Sequence, residues 1–68
     1  MSYVVEQSGV RVTGEAYDWV RLETSVDSDL NVVWNTHDGL ADLWAEVDDS
    51  FGTVNLRVVD DEGNVITR

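Results

Sequence analysis

Charge constrains the folding of this chain more than any other property of its sequence. Fourteen acidic side chains accompany only four basic ones in 68 residues, which gives a formal net charge of −10. A compact state with this balance works against its own repulsion unless salt or a cationic partner relieves it. The chain contains no lysine, and its four basic residues are Arg11, Arg21, Arg57 and Arg68. We therefore expect an unusual working environment.

The chain is also short for a protein that folds alone. A domain of this size buries only roughly 60% of its unfolded surface, so its stability is marginal. There is no cysteine for a disulfide, and the single histidine, His37, cannot anchor a structural zinc site. A hydrophobic fraction of 43% still predicts one packed domain over residues 1–68. We expect oligomerisation or docking on a partner to support it.

The composition excludes several classes of partner. Four arginines cannot form the cationic footprint that phosphate contacts require, so neither nucleic acid nor an anionic membrane is expected as a partner. No stretch is long and apolar enough to cross a bilayer, and residues 1–6 lack the basic start and apolar run of a signal peptide. We predict a cytoplasmic or virion location.

Two interpretations of the acidic charge lead to different functions. A hydrated carboxylate surface keeps a protein soluble in molar salt, whereas rows of carboxylates can imitate nucleic acid and occupy a basic groove on another protein. The lack of lysine favours salt adaptation, because a bias across a whole proteome removes lysine from any protein and mimicry has no need to. A high-GC codon bias is a third cause that would act in the same direction.

Most of the chain shows the period-two alternation of β-strands. Residues 3–6 and 10–13 are short β-prone runs separated by residues 7–9, which we interpret as a turn. Residues 17–26 alternate as a half-buried strand, and residues 30–36 follow as a strand that pairs with it in a hairpin.

The C-terminal segment carries the clearest hairpin signal. Residues 54–58 alternate, an acidic turn ends at Gly63, and the chain returns as a β-prone run over residues 64–67. Gly63 or Asn64 supplies the left-handed position that such a turn needs.

The apolar residues between Gly39 and Gly52 fit both the period of a helix and the period of a strand. Leu40, Leu43, Trp44, Val47 and Phe51 form one stripe of an amphipathic helix, with Asp38 as the N-cap. The alternation of residues 43–47, followed by a loop into Thr53, fits a strand equally. We therefore predict a mainly β domain, a small antiparallel sandwich or barrel of about six strands, with an α+β fold containing one helix at residues 39–51 as the alternative.

Two segments carry a family resemblance. Residues 52–64 resemble the final hairpin of Ig-like β-sandwich modules, notably PKD repeats, which end in a Val-x-Leu-x-Val-x-Asp-x-x-Gly-Asn pattern. Trp34, Asp38 and Gly39 agree with the Trp-Asp-Phe-Gly-Asp-Gly turn of the same family. The resemblance implies a binding or structural module without catalysis, since such repeats act as spacers and adhesion surfaces.

Few residues suggest chemistry. The window from Asp27 to Asp38 places oxygens at several positions of a calcium loop, but Val32 stands where that loop needs glycine, so we interpret it as a turn and a strand. Neighbouring acids at 48–49 and 60–62 suggest at most weak cation binding. His37 beside Asp38 lacks a fixed nucleophile, and we predict an exposed turn residue, no enzyme, no cofactor, no metal and no small-molecule substrate.

Trp19 suggests an interaction surface. In the strand at 17–26 it shares a face with Arg21 and Glu23, opposite Val20 and Leu22, and an exposed tryptophan among charges is typical of an interface anchor. A second small core over the same face would bury it as well. Trp34 and Trp44 are expected in the core.

These observations predict a non-enzymatic structural or assembly module of a halophilic organism or its virus, such as a capsid or decoration subunit. It would form homo-oligomers, or bind a protein partner, through β edges or the face of Trp19. The alternative is a small acidic inhibitor that mimics nucleic acid and blocks a basic site on a partner protein.

Overall fold

In the residues that the structure describes, one antiparallel sheet is crossed by one long helix. A computed structural model describes residues 1–47 and 52–68. The strands are β1 (Tyr3–Val10), β2 (Ala16–Arg21), β3 (Thr53–Asp60) and β4 (Val65–Ile66), and the helix is α1 (Leu30–Glu46). The strand order is β2-β1-β3-β4, and a short 3-10 turn at Glu23–Ser25 leads from β2 toward the helix.

The predicted sandwich or barrel of about six strands is wrong, and the α+β alternative gives the correct class. The described residues contain four strands in one open sheet. Residues 30–36, predicted as a strand, form the first two turns of α1. The predicted hairpin between residues 17–26 and 30–36 therefore does not exist.

The helix begins nine residues earlier than the predicted helix at 39–51. Its N-cap is Asp29, whose carboxylate accepts a hydrogen bond from the backbone N–H of Asn31 at 2.9 Å. Asp38, the predicted cap, lies inside the helix. α1 ends at Glu46, so Phe51 and residues 48–50 of the predicted helix lie outside the described residues.

Apolar residues at helical spacing form one face of α1, and this face packs on the sheet. Val33 is fully buried, and Leu30, Trp34 and Leu40 pack against the cluster that it forms with the sheet. The adjacent Val32 is 43% exposed, because the next residue of a helix points about a quarter turn away. The burial pattern therefore follows a helix and not the alternation that predicted a strand.

The predicted turn at residues 7–9 is also wrong, because β1 is continuous through it. Each residue of β1 from Tyr3 to Val10 has a partner in β3. Gly9 does not form a turn. It lets β1 lie close to β3, since a β-carbon at this position would collide with the backbone carbonyl of Thr53. The chain turns instead after Val10, where the backbone N–H of Gly14 donates to the carbonyl of Arg11 at 2.8 Å.

A bulge in β2 decides which of its side chains share a face. Gln7 pairs with Val20 and Gly9 pairs with Tyr17, so two residues of β2, Asp18 and Trp19, lie opposite Ser8 alone. Tyr17 consequently shares the face of Val20 although the two are three residues apart.

The C-terminal hairpin is confirmed. β3 and β4 pair with Val58 opposite Ile66 and Val59 opposite Val65. The turn between them contains Gly63 at a φ of 85°.

Among the described residues, the fully buried part of the core is small and consists of valine, and larger side chains such as Leu30 and Trp34 pack partly buried against it. The fully buried hydrophobic residues among those described are Val4, Val5, Val33, Val58 and Val59. Val5 and Val58 lie with Val33 on the inner face of the sheet, the face that α1 covers, and Val4 and Val59 pair on the outer face. The radius of gyration, 12.3 Å, exceeds the roughly 11 Å of a compact chain of this length, so the fold is extended.

Candidate interaction surface

The helix covers only part of the inner face. α1 packs on β1 and β3, and β2 lies beyond it at the edge of the sheet. Between β2 and α1 runs a depression, here called the inner groove, which consists of adjoining cavities of about 470 and 590 Å³ that share Gln7, Leu22 and Trp44. Its apolar lining comprises Val12, Tyr17, Val20, Leu22, Leu40, Leu43, Trp44 and Val54.

Large apolar side chains remain open to solvent on both sides of this groove. Val20 on β2 is 50% exposed, and Leu43 on α1 is 55% exposed. Trp44 lines both cavities, and its buried indole Nε1 has no hydrogen-bond partner among the described residues. Contiguous apolar surface of this kind marks interaction sites in small soluble proteins.

Arginines border the groove on its β2 side. The guanidinium of Arg11 lies 5.0 Å from the centre of the Tyr17 ring, near one end of β2. At the other end, Nε of Arg21 lies 3.1 Å from Oε1 of Glu23. Glu23 is the one acid among the described residues that line the groove.

Of the predicted surface of Trp19, Arg21 and Glu23, the first two lie on the outer face of the sheet, since Arg21 pairs with Glu6, and Glu23 lies in the 3-10 turn after β2. Arg21 and Glu23 form an exposed ion pair, while Trp19 lies half-buried on the outer face beneath Arg57, whose guanidinium is 4.0 Å from the ring centre. Arg57 also lies 2.7 Å from Oε1 of Glu6. Sequence reasoning missed Glu6 and Arg57, and the signal for them was their alternation with the buried valines of β1 and β3.

A second arginine cluster ties the C-terminal segment to the helix. The guanidinium of Arg68 donates to Oδ2 of Asp38 at 2.9 Å and lies 4.3 Å from the centre of the Trp34 ring. Hydrogen bonds from Arg68, and secondly the contact with His37, lower the pKa of Asp38 to about 2. The same carboxylate raises the pKa of Arg68. Asp38 is thus held as an anion in a structural ion pair.

His37 is not an exposed turn residue, and that prediction is wrong. It lies within α1, half-buried, with its ring 4.9 Å from the Trp34 ring in an edge-to-face contact. Its Nδ1 is 3.1 Å from Oδ1 of Asp38. Because Arg68 also binds Asp38, the three side chains form one polar network over Trp34.

The hydroxyl of Ser25 has a structural role and is not free to act as a nucleophile. Ser25 is buried, its Oγ donates to the carbonyl of Leu22 at 2.6 Å, and it accepts from the backbone N–H of Val5 at 2.9 Å. Ser28 is exposed, and Ser50 lies outside the described residues. Both hydrogen-bonding functions of the Ser25 hydroxyl are therefore used within the fold.

The acidic pairs act as caps and turn formers. Asp27 accepts from the backbone N–H of Asp29 at 2.8 Å, and Asp29 caps α1, so the window that resembled a calcium loop is a turn followed by a helix. Asp60 accepts from the backbone N–H groups of Glu62 and Asn64, each at 2.9 Å, and the bonds from Asn64 contribute most to lowering its pKa. Over residues 1–47 and 52–68, no three His or acidic side chains gather as metal ligands would, and residues 48–49 lie outside that range.

Among the described residues, no helix combines the length and apolarity that a membrane span requires. Comparisons with protein-family models, curated proteins and solved structures found no match for this chain. The resemblance of its hairpin to PKD modules stays a prediction.

Proposed function

We propose that this chain is a non-enzymatic assembly module of a halophilic organism or its virus, such as a capsid or decoration subunit, which completes its core by association with further copies. The observation that supports this proposal is the uncovered inner face of β2 beside α1. The described residues contain only five fully buried hydrophobic side chains, all valines, so apolar surface that stays exposed in the single chain is available to stabilise an assembly.

The faces of the sheet suit association better than its edges. β4 is only two residues long, and β2 carries a bulge beside the charged Asp18. Short edge strands, bulges and edge charges are the features that hinder strand pairing between molecules. We therefore favour contact through a face over extension of the sheet.

The placement of charge supports salt adaptation over mimicry of nucleic acid. Asp38, Asp42 and Glu46 follow one another at four-residue spacing along α1, which could begin a row of phosphate-like charges. The first member is already paired with Arg68, so the row is interrupted. Other acids, including Asp60, are committed to turns.

Solution mass and thermal unfolding across roughly 0.1 to 3 M KCl test the proposal. The Debye length falls from about 10 Å at 0.1 M to about 3 Å at 1 M, which removes long-range repulsion. We expect stability to rise steeply with salt and a defined oligomer to form. A monomer that is already stable in dilute buffer and stays monomeric in molar salt would contradict both salt adaptation and assembly.

A further inference from the structure

We propose that the edge of β3 that β4 leaves uncovered binds an extended basic segment of a partner protein. The segment adds to the sheet as a strand antiparallel to β3 and places one of its cationic side chains against Asp42. This site goes beyond the proposed assembly function and does not depend on it, because it takes a different molecule at a different part of the fold. Unpaired backbone groups, an adjoining groove and the spacing of acids on α1 support it.

Among the described residues, β4 covers only one end of β3. It pairs with residues 58–59, whereas β1 pairs with the whole of β3 on the other side. The backbone N–H of Asp60 donates toward β4, to the carbonyl of Asn64 at 3.0 Å. Hydrogen-bonding groups alternate sides along a strand, so those of Leu56 and Val54 point the same way, and within the described residues they have no backbone partner there. Unpaired groups of this kind are a template for an added strand.

A groove between this edge and α1 has room for the side chains of such a strand. It is a cavity of about 570 Å³, here called the edge groove, with Val54 and Leu56 on the strand side and Ala41 and Ala45 on the helix side. The small alanine side chains leave the helix side open. A strand added to β3 therefore directs every second side chain toward this groove.

Arg68 shows which kind of side chain reaches the helix from this edge. β3 and β4 pair with Val58 opposite Ile66. Continued by two residues, this register sets Arg68 level with Leu56. The guanidinium of Arg68 crosses to α1 and donates to Oδ2 of Asp38 at 2.9 Å. A cation on the strand side is thus matched by an acid on the helix side.

Asp42 repeats the acid of Asp38 one turn further along the helix. α1 runs toward Val47, which lines the edge groove together with Gly52, whereas β3 runs away from Gly52. A strand antiparallel to β3 therefore runs in the direction of α1. Four helix residues rise about 6 Å, and two strand residues rise about 6.8 Å. A basic residue two positions beyond the place of Arg68 consequently lies level with Asp42.

Charge selects a basic partner at this edge rather than a second copy of the chain. Asp42 is exposed and takes part in none of the ion pairs among the described residues. A basic segment supplies its cation and relieves part of the net charge of −10, whereas a second copy brings the same negative charge to the edge. The face contact proposed between copies leaves this edge available to a different molecule.

Titration with synthetic peptides, followed by amide NMR at the lowest KCl concentration at which the chain is folded, tests this site. The probe is the capped peptide Val-Arg-Val-Arg-Val-Arg-Val. One comparison peptide carries glutamate in place of arginine, and another carries backbone N-methyl groups at its arginines. We expect the probe to give saturable shifts of the Val54 and Leu56 amide resonances and slower exchange of their protons. Both comparison peptides should bind at least about tenfold more weakly, because they lose the charge contact or the backbone hydrogen bonds.

Asp42→Asn should weaken binding of the probe about two- to fivefold. Asp61→Asn is the matched control, because it removes the same charge at an exposed position in the turn beyond the other end of β3, and it should bind like the natural chain. An otherwise unchanged amide spectrum is the control for folding in both variants.

The site is overturned if the Val54 and Leu56 resonances show no saturable shift. It is also overturned if the N-methylated peptide binds as tightly as the probe, or if the two variants weaken binding equally, because overall charge alone then holds the peptide. Specific binding by a chain that stays monomeric at every salt concentration would leave this site standing and overturn the assembly function alone.

Discussion

The hydroxyl of Ser25 accepts a hydrogen bond from the backbone N–H of Val5 at 2.9 Å and so joins the turn after β2 to the first strand. Both residues are buried, and the chain between them spans 20 positions. The same hydroxyl donates to the carbonyl of Leu22. One small side chain therefore links the β1–β2 hairpin to the segment that leads into the helix.

Replacement of Ser25 by alanine should lower the free energy of unfolding by about 1–3 kcal/mol, since it leaves the buried N–H of Val5 without an acceptor. Urea denaturation in molar KCl measures the effect. Ser28→Ala, at an exposed position three residues later, is the matched control and should lie within about 0.5 kcal/mol of the natural chain. Equal effects of the two changes would contradict a structural role for the Ser25 hydroxyl.

Alanine substitution at two glycines with equally open surroundings should change the free energy of unfolding in opposite directions. A β-carbon at Gly39 or at Gly14 meets no atom within 4 Å, but Gly14 has a φ of 89° and Gly39 lies inside α1. Gly39→Ala should raise the free energy of unfolding by about 0.5–1 kcal/mol, because alanine loses less conformational freedom in a helix. Gly14→Ala should lower it by about 1 kcal/mol or more. Destabilisation by Gly39→Ala would count against a continuous helix through this position.

The pair of Asp38 and Arg68 should make stability fall in strong acid. The pKa of Asp38 is lowered from 3.8 to about 2 in the folded chain, so the unfolded chain binds a proton at Asp38 more readily. The stabilisation is complete above a pH of about 3.8 and is lost as the pH falls toward about 2. Denaturation measured between these pH values should show that the free energy of unfolding changes less with pH for Asp38→Asn than for the natural chain.

Asp42→Asn is the control for that experiment, because it removes the same charge one turn further along α1. Asp42→Asn should leave the fall in stability between these pH values in place. It should relieve the repulsion among the acidic residues to the same extent as Asp38→Asn does. A profile of Asp38→Asn that matches the profile of Asp42→Asn would show that the ion pair contributes nothing measurable.

Substitution of Arg57 tests whether the geometry of the guanidinium group explains why the basic residues are arginines. Its guanidinium contacts Glu6 and stacks over Trp19 at the same time, and a lysine ammonium can keep the charge but not this planar geometry. Arg57→Lys should lower the free energy of unfolding by about 0.5–1 kcal/mol and change the fluorescence of Trp19.

Arg21→Lys provides the comparison, because the ion pair that Arg21 makes among the described residues is an exposed one with Glu23. That change should be nearly neutral, as exposed ion pairs contribute about 0–1 kcal/mol. If Arg57→Lys is equally neutral, the geometry of the cluster does not account for arginine, and the lack of lysine is left to salt adaptation or codon bias.

The sequence predicts the C-terminal hairpin because its signals agree with each other. Val54, Leu56 and Val58 alternate, and Gly63 ends an acidic turn, so local propensity and turn chemistry indicate the same structure. Asp60, which organises that turn with its carboxylate, was visible only as one acid among several.

The first half of the helix was predicted as a strand because two periods coincide there. Leu30, Val32 and Trp34 alternate as in a strand, whereas Leu30, Val33 and Trp34 repeat as in a helix. Two adjacent valines favour the strand locally, and packing of Val33 against the sheet overrides that preference. Asp29 as the helix cap was the signal that could have decided between them.

The inner groove could not be predicted because it depends on where elements lie in space. Alternation predicts that Val20 and Leu22 share a face, but the bulge that adds Tyr17 to this face depends on pairing with β1. The open wall of α1 exists only because the helix crosses β1 and β3 and not β2. Long-range packing of this kind leaves no local pattern in the sequence.

The valine core has a consequence for the response of this protein to temperature. Valine removes less apolar surface from water than larger side chains do, and the heat capacity of unfolding grows with that surface. A small heat capacity change gives a broad, shallow curve of stability against temperature. Calorimetry should therefore find that the chain loses stability slowly on cooling, so that temperature disturbs its folding less than dilution of the surrounding salt does.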